Sequence, residues 1–338
     1  MAPMKYFYEL TISSSPHVHS PITTRTIMRD VLIALAPAMI MSIVFFGFRA
    51  LTVTAVSVLA CYLFEKLYNK ITGMDDKTYD LSACVTGVLL AFVCPVTIPY
   101  WTIVLGAAFA ILLVKMLFGG LGRNIVNPAL AGRAFMFSWP VMMSTWVKVG
   151  FENAAPVVGK FPNIDAADIV TSATPLASMH QGILCEESVM ELFVGNIGGC
   201  IGETSAIALL IGFAYLLWRK VITARIPLVY IGTVAVLTFL FPMGNDRIAW
   251  MMAQVLGGGL MLGAIFMATD YVTSPVTKMG QVIYGIGCGV LTVMIRYFGG
   301  YNEGVSYAIL CMNTCVVLLD RVGRPVKFGA PKKEAVKK

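Results

Sequence analysis

Long apolar runs, joined by short polar links, dictate what this chain can become. They occupy residues 31–48, 51–67, 81–93, 100–118, 127–146, 189–218, 226–241, 248–269, 282–298 and 306–319. About 20 apolar residues in a helix cross the roughly 30 Å hydrocarbon core of a bilayer. Backbone polar groups inside that core must pair within their own element, so spans of this kind are helical. The expected fold is an all-α, polytopic membrane protein with about ten transmembrane helices. Composition agrees. Only 13% of the 338 residues are charged, half of the roughly 25% found in soluble domains. A soluble enzyme, a disordered chain and a nucleic-acid binder are thereby excluded, and the first expected partner is the lipid bilayer.

Charge distribution orients the spans. The net charge is +7, and seven of the 25 lysines and arginines follow Leu319. With the N-terminus inside, nineteen basic residues fall on the cytoplasmic side. Five (Arg49, Lys148, Lys160, Arg247 and Arg296) fall outside, while Arg133 sits within a span. That bias obeys the positive-inside rule. The first 29 residues are too long and polar for a secretory n-region, which predicts a cytoplasmic N-terminus in the cell's inner membrane. The one long loop, 145–188, is then extracytoplasmic.

The two halves resemble each other at a fixed offset of 180. Pro95-Val96-Thr97 recurs as Pro275-Val276-Thr277, and Phe118-Gly119-Gly120 as Phe298-Gly299-Gly300. Ile103 matches Ile283 and Leu130 matches Leu310. An odd number of spans, five, lies between the copies, so the halves are expected to be two inverted five-helix repeats. Such repeats place ligand or ion sites at their interface, near Gly/Pro interruptions. The expected organisation is a cytoplasmic segment at 1–30, repeats at 31–146 and 189–319, an extracytoplasmic loop at 147–188 between them, and a basic cytoplasmic tail at 320–338. Run 189–218 is too long for one span. Its breaks at Gly198-Gly199 and Gly202-Glu203 predict a half-helix leading into a full span.

The loop contains Asp168-Ile-Val-Thr171-Ser-Ala173-Thr174-Pro175. This segment resembles the D-x-x-[ST]-x-A-T signature at which a dedicated flavin transferase joins FMN to the final threonine through a phosphoester. Three further segments resemble one family: Gly119-Gly-Leu-Gly-Arg123-Asn124-Ile-Val-Asn127-Pro-Ala-Leu, Gly202-Glu203-Thr204-Ser205 and Met267-Ala-Thr269-Asp270-Tyr271-Val-Thr273-Ser274-Pro275. Together they are similar to the NqrB/RnfD family of membrane subunits of ion-pumping oxidoreductases. The short N-terminal arm places the resemblance on its RnfD side, in the ferredoxin:NAD oxidoreductase (Rnf) complexes. Tyr271 stands where many members carry proline.

The resemblance implies covalent FMN on Thr174, with Asp168, Thr171 and Ala173 as the motif that the transferase reads. Threonine is a weak nucleophile and needs such outside help. Pro175 is expected to hold Thr174 extended with its hydroxyl exposed. The resemblance also implies a second, non-covalent flavin (riboflavin or a relative) near Asn124 and Asn127, with Tyr271 and Thr273 approaching from the other repeat. Asparagine amides offer a donor and an acceptor to a ring edge. Capping of the next helix by Asn124, with Pro128 in its first turn, accounts for the same residues equally well.

Glu203 and Arg133 are the ionisable groups expected inside the bilayer, where a charge costs several kcal/mol. Glu203 reads either as part of a cation path or, more simply, as half of a structural ion pair. Asp270 ends span eight at the cytoplasmic boundary, and solvation there accounts for it. His17 and His19 are too few to close a metal site and are read as contacts to a soluble partner. The eight cysteines lie mostly in apolar runs without a C-x-x-C pair, as small buried residues do. No catalytic residue or metal site is expected on this chain by itself. The function implied is a subunit passing electrons within a larger redox complex that moves Na⁺ or H⁺, in company with other subunits. The rival reading is a secondary transporter or small-solute channel, for which inverted repeats are also typical.

Overall fold

A computed structural model describes residues 22–73, 78–143, 146, 174–180, 182–184, 188–195, 197–203, 205–244, 246–300 and 303–322. Asp168, Thr171, Ala173, His17, His19 and Cys185 lie outside the described residues, as do most of the 147–188 loop and the tail beyond 322. Among the described residues all regular structure is helical. Helix α1 (Thr24–Phe46) starts where the Thr23 hydroxyl accepts from the Thr26 N–H at 3.3 Å, and it ends at Gly47. The boundary expected at residue 30 therefore falls inside a helix. Helix α2 (Phe48–Thr72) ends at left-handed Gly73, whose N–H returns to the Asn69 carbonyl. Then come α3 (Ser82–Phe92) and α4 (Tyr100–Ala108), the latter running on as a π-helix over Phe109–Met116.

Short helices follow: α5 (Pro128–Met136), α6 (Pro140–Met143), α7 (Pro175–His180) and α8 (Val189–Val194). The chain continues through α9 (Ala206–Trp218), α10 (Arg225–Leu240) and α11 (Arg247–Leu256). Next is α12 (Leu260–Leu262), which passes into a second π-helix at Gly263–Met267. The last two are α13 (Lys278–Phe298) and α14 (Val305–Val322).

Among the described residues, four helices (α1, α2, α13 and α14) are long and apolar enough to cross a membrane, and a bent pair taken as one span makes a fifth. Helix length alone thus gives fewer spans than the ten apolar runs suggest, because several runs are broken. Run 189–218 divides into α8 and α9 around the Gly198–Glu203 turn, where the break was expected, but α9, with 13 residues, is shorter than the full span expected to follow it. Run 127–146 yields only α5 and α6. Run 248–269 bends by 58° between α11 and the segment 260–267, at Gly258 and Gly259, both with positive φ (64° and 66°). The protein is a multi-pass membrane protein built from whole and interrupted helices.

Large apolar side chains such as Ile40, Leu59, Leu228, Val236 and Phe298 point outward, as lipid contact demands. Inside, small and polar residues join the helices. The Ser57 hydroxyl donates to the Gly87 carbonyl at 2.7 Å, and a Cβ on Gly87 would meet the α2 backbone at Val58 at 2.6 Å. Close backbone approach through small residues is how helices associate when lipid is as apolar as leucine. Helix α1 packs on α9, α2 on α3 and α4, and α10 on α11 and α13.

Candidate functional site

Two clusters of chemistry-bearing residues emerge, at opposite ends of the helix packing. The first surrounds a cavity reached by Asn124, Asn127, Asp270, Tyr271 and Lys115, with Leu89, Leu216, Ile222 and Phe266 as apolar wall. An apolar wall with a few polar groups is the usual lining of a small-molecule site.

The two asparagines play different parts. Asn127 is the N-cap of α5: its Oδ1 accepts from the N–H groups of Ala129 (3.0 Å) and Leu130 (3.4 Å), and Nδ2 donates to the Met267 carbonyl at 3.3 Å. Pro128 fills the first helical position, where its missing N–H costs nothing. The cap is thus Asn127, three residues after the Asn124 expected from sequence. Asn124 is buried, and its Nδ2 donates to the Val126 carbonyl at 3.2 Å. Its Oδ1 has no protein partner. A buried acceptor without a donor costs about 1–3 kcal/mol, so Asn124 is the member of the pair with an unmet demand facing the cavity. A flat heterocycle with a ring N–H meets that demand, and in this respect the residues fit a flavin.

Tyr271 lines the cavity with its phenol donating to the Val221 carbonyl. Asp270 is held by the Thr273 hydroxyl at 3.0 Å. Desolvation raises its carboxyl above the ordinary value, opposed by hydrogen bonds from that hydroxyl and from backbone N–H groups. Asp270 is half-buried, so it keeps some of the solvation expected for it while the protein supplies further hydrogen bonds. Thr273 is buried behind Asp270 and braces the wall without lining it. Asn313, with its amide oriented to suit its neighbours, accepts from the Asn127 N–H (3.2 Å) and donates to the Thr273 carbonyl (3.1 Å), so one side chain ties both motifs together.

The second cluster lies around Thr174. This residue is only 5% exposed, against the expected exposure. Pro175 opens α7, and Leu176 and Met179 of that helix anchor it in the core. Thr174 lines a small cavity, about 10 Å³, with Gly198, Gly199, Gly258, Glu203 and Glu303. No hydrogen bond engages its hydroxyl among the described residues, which suits an ester linkage. Like charge on the glutamates opposes a phosphate between them, so an ester here is compatible only with the phosphate directed out of the cavity.

Behind Thr174, Arg133 on α5 forms ion pairs with Glu203 (3.8 Å) and Glu303, and donates to the Ser306 hydroxyl at 2.5 Å. Its guanidinium also lies 5.4 Å from the Phe137 ring centre. The paired reading of Glu203 is the one with geometric support. Cys200, Glu203 and Glu303 are close enough to ligate one ion, but Arg133 already supplies the positive charge there.

Sequence reasoning missed Glu303, whose signal was an acid between two apolar spans. It also misplaced two cations. Arg296, counted as an outer loop charge, is buried and donates to Gln254, Gly257 and Gly258 carbonyls at 2.5–3.2 Å, satisfying the backbone freed by the α11/α12 bend. Lys115, counted at the cytoplasmic edge, is buried and pairs with Glu65 at 2.7 Å and Ser82 at 2.6 Å.

Known proteins share this sequence along nearly its whole length. The family model described as NQR2, RnfD, RnfE matches residues 11–329. The chain is 45% identical over 327 residues, 96% of each chain, to the D subunit of the Na⁺-translocating ferredoxin:NAD⁺ oxidoreductase complex of Acetobacterium woodii. It is 41% identical to the D subunit of the proton-translocating ferredoxin:NAD⁺ oxidoreductase complex of Clostridium ljungdahlii, covering 94% of this chain and 96% of the other. The D subunit of an ion-translocating oxidoreductase complex from Aeromonas hydrophila is 34% identical, with 95% and 99% covered. A family model that matches residues 11–329, and with them both clusters, makes this chain a member of the NQR2, RnfD, RnfE family.

Proposed function

We propose that the chain is the flavin-carrying membrane subunit of an ion-translocating ferredoxin:NAD⁺ oxidoreductase complex. The observation that carries this reading is likeness along nearly the whole chain to relatives named as the D subunits of such complexes. It also favours the electron carrier over a secondary transporter or channel. The chain works with other subunits of an Rnf-type complex. Its part in that complex is to hold carriers and relay electrons. The relatives' names divide between Na⁺ and protons, and cation movement is what they share.

In this reading the helices form two inverted five-segment repeats. The first comprises α1, α2, α3, α4 with its π extension, and α5. The second comprises α9, α10, the bent α11–α12 segment, α13 and α14. Corresponding packing of α2 and α10 supports it. So do the two Pro-Val-Thr turns, held by opposite charges. Arg49 donates to the Val96 and Ile98 carbonyls at 2.8 and 3.3 Å, whereas Asp320 accepts from the Val276 and Thr277 N–H groups at 3.0 Å. The protein sits in the inner membrane with both termini cytoplasmic and the Thr174 loop outside.

Thr174 carries FMN by phosphoester, installed by a flavin transferase, and the cavity at Asn124 holds a second, non-covalent flavin. Bound flavin supplies one-electron chemistry, while the protein fixes its position and potential. Asn124 Oδ1 accepts a ring N–H, Tyr271 and Phe266 bound the ring, and Asn127 keeps the wall in register by capping α5. Glu203 belongs with Arg133 and Glu303 to the charged anchor behind Thr174. The test is a denaturing gel of membranes co-expressing a flavin transferase. The 36.6 kDa chain should fluoresce, and Thr174→Ala should abolish the signal. Fluorescence retained by the variant would sink the covalent assignment.

A further inference from the structure

The Lys115–Glu65 ion pair has no part in the function just described, yet its place is unusual. Lys115 lines the Asn124 cavity. Its partner Glu65 lines a different space, an open groove of about 990 Å³. That groove is bordered by helix ends and loops, including Arg25, Tyr79, Asp80 and Arg123, so bulk water reaches it. The two side chains meet at 2.7 Å and are only 2% and 4% exposed. One buried ion pair thus stands, beside Leu121, between an apolar cavity and an aqueous groove, with its cation on the cavity side and its anion on the groove side. Ser82, hydrogen-bonded to both Asp80 (2.6 Å) and Lys115, fixes the lysine there. The π-helix that carries Lys115 is of the kind often found at functional sites.

Charge placed in a low-dielectric cavity is costly unless it is matched. An electron added to a ring in this cavity brings one negative charge. We propose that the Lys115–Glu65 pair compensates it by taking up one proton from groove water onto Glu65, which frees the Lys115 charge to face the reduced ring. One electron enters from a one-electron carrier of the complex, one proton enters from the groove, and the net charge of cavity and wall is unchanged. This rests on the non-covalent flavin reading of the cavity. The groups facing the pair are few. Cys61 lies on the same helix as Glu65, Cys84 on α3, Asp80 just before α3, and Asp270 across the cavity. Arg25, Arg123 and Tyr79 border the groove. None of these besides Asp80 is hydrogen-bonded through Ser82 to the lysine, so Glu65 is the carboxylate in direct contact with it.

The test uses the full chain in lipid nanodiscs, titrated with riboflavin, and reads the midpoint potential of the bound riboflavin between pH 6 and pH 9. The wild type should show a potential that falls as pH rises, and Glu65→Gln should flatten that dependence. Lys115→Met gives a second reading should Glu65→Gln not fold: its potential should be lower than the wild type's at every pH. An unchanged slope in Glu65→Gln, or an unchanged potential in Lys115→Met, would overturn the inference while leaving the flavin cavity intact. Failure of riboflavin to bind the wild type would remove the cavity reading and this inference with it.

Discussion

Asn124 and Asn127 stand three residues apart and belong to one motif, yet their side chains answer to different forces. Asn127 spends both ends of its amide on the protein, capping α5 and holding the Met267 carbonyl. Losing an N-cap of this kind costs about 1 kcal/mol, up to about 2. Asn127→Ala should therefore lower the thermal midpoint of the purified protein measurably, with or without riboflavin. Asn124→Ala removes an unpaired acceptor and should leave the apo protein as stable as the wild type or slightly more so. Its cost falls on the ligand: one lost hydrogen bond of about 1 kcal/mol should weaken riboflavin binding about fivefold. Equal effects of the two variants on apo stability would contradict this division. The distinction was within reach of the sequence, since proline prefers the first helical position and so marks the preceding Asn127 as the cap. What the sequence concealed was the other half of each bond, because Met267 lies 140 positions away.

At the scale of elements, interruption matters as much as length. The bend between α11 and α12 exposes carbonyls that no helix satisfies, and Arg296 reaches across from α13 to meet those of Gly257 and Gly258. Gly259 sits at φ 66°, and a Cβ there would run into the Glu203 carboxylate. Gly259→Ala combines backbone strain with that clash, and a residue forced into left-handed backbone costs about 1–3 kcal/mol. We expect a destabilised protein with a lower thermal midpoint, whereas Gly232→Ala, where a Cβ meets nothing within 4 Å, should be silent. Gly257-Gly258-Gly259 was the visible warning that run 248–269 is not one straight span. The hydropathy of the run outweighed it, because hydropathy reports what a segment can bury and is blind to its direction. For the same reason Lys115 and Arg296 read as edge charges. Only packing shows that each cation has been drawn inward by a specific partner.

For the molecule as a whole, membrane class and helical content followed from the apolar runs, since a continuous run of about 20 apolar residues satisfies its own backbone in lipid as a helix. The number of continuous helices did not follow, because short and broken segments gain their polar satisfaction from neighbours the sequence does not identify. Orientation makes a separate prediction. A phosphatase reporter that is active only outside the cytoplasm should work when fused after Ser188 and be silent when fused after Lys220. The reverse pattern would place Thr174 on the wrong side for the proposed role.

The claim on which the account turns is a covalent flavin on Thr174. It is tested most directly by mass spectrometry of the tryptic peptide 161–219, taken from membranes that also express a flavin transferase. The account predicts a peptide heavier by one FMN less water, with fragment ions locating the added mass on Thr174. An unmodified peptide, or FMN placed on another residue, would contradict it.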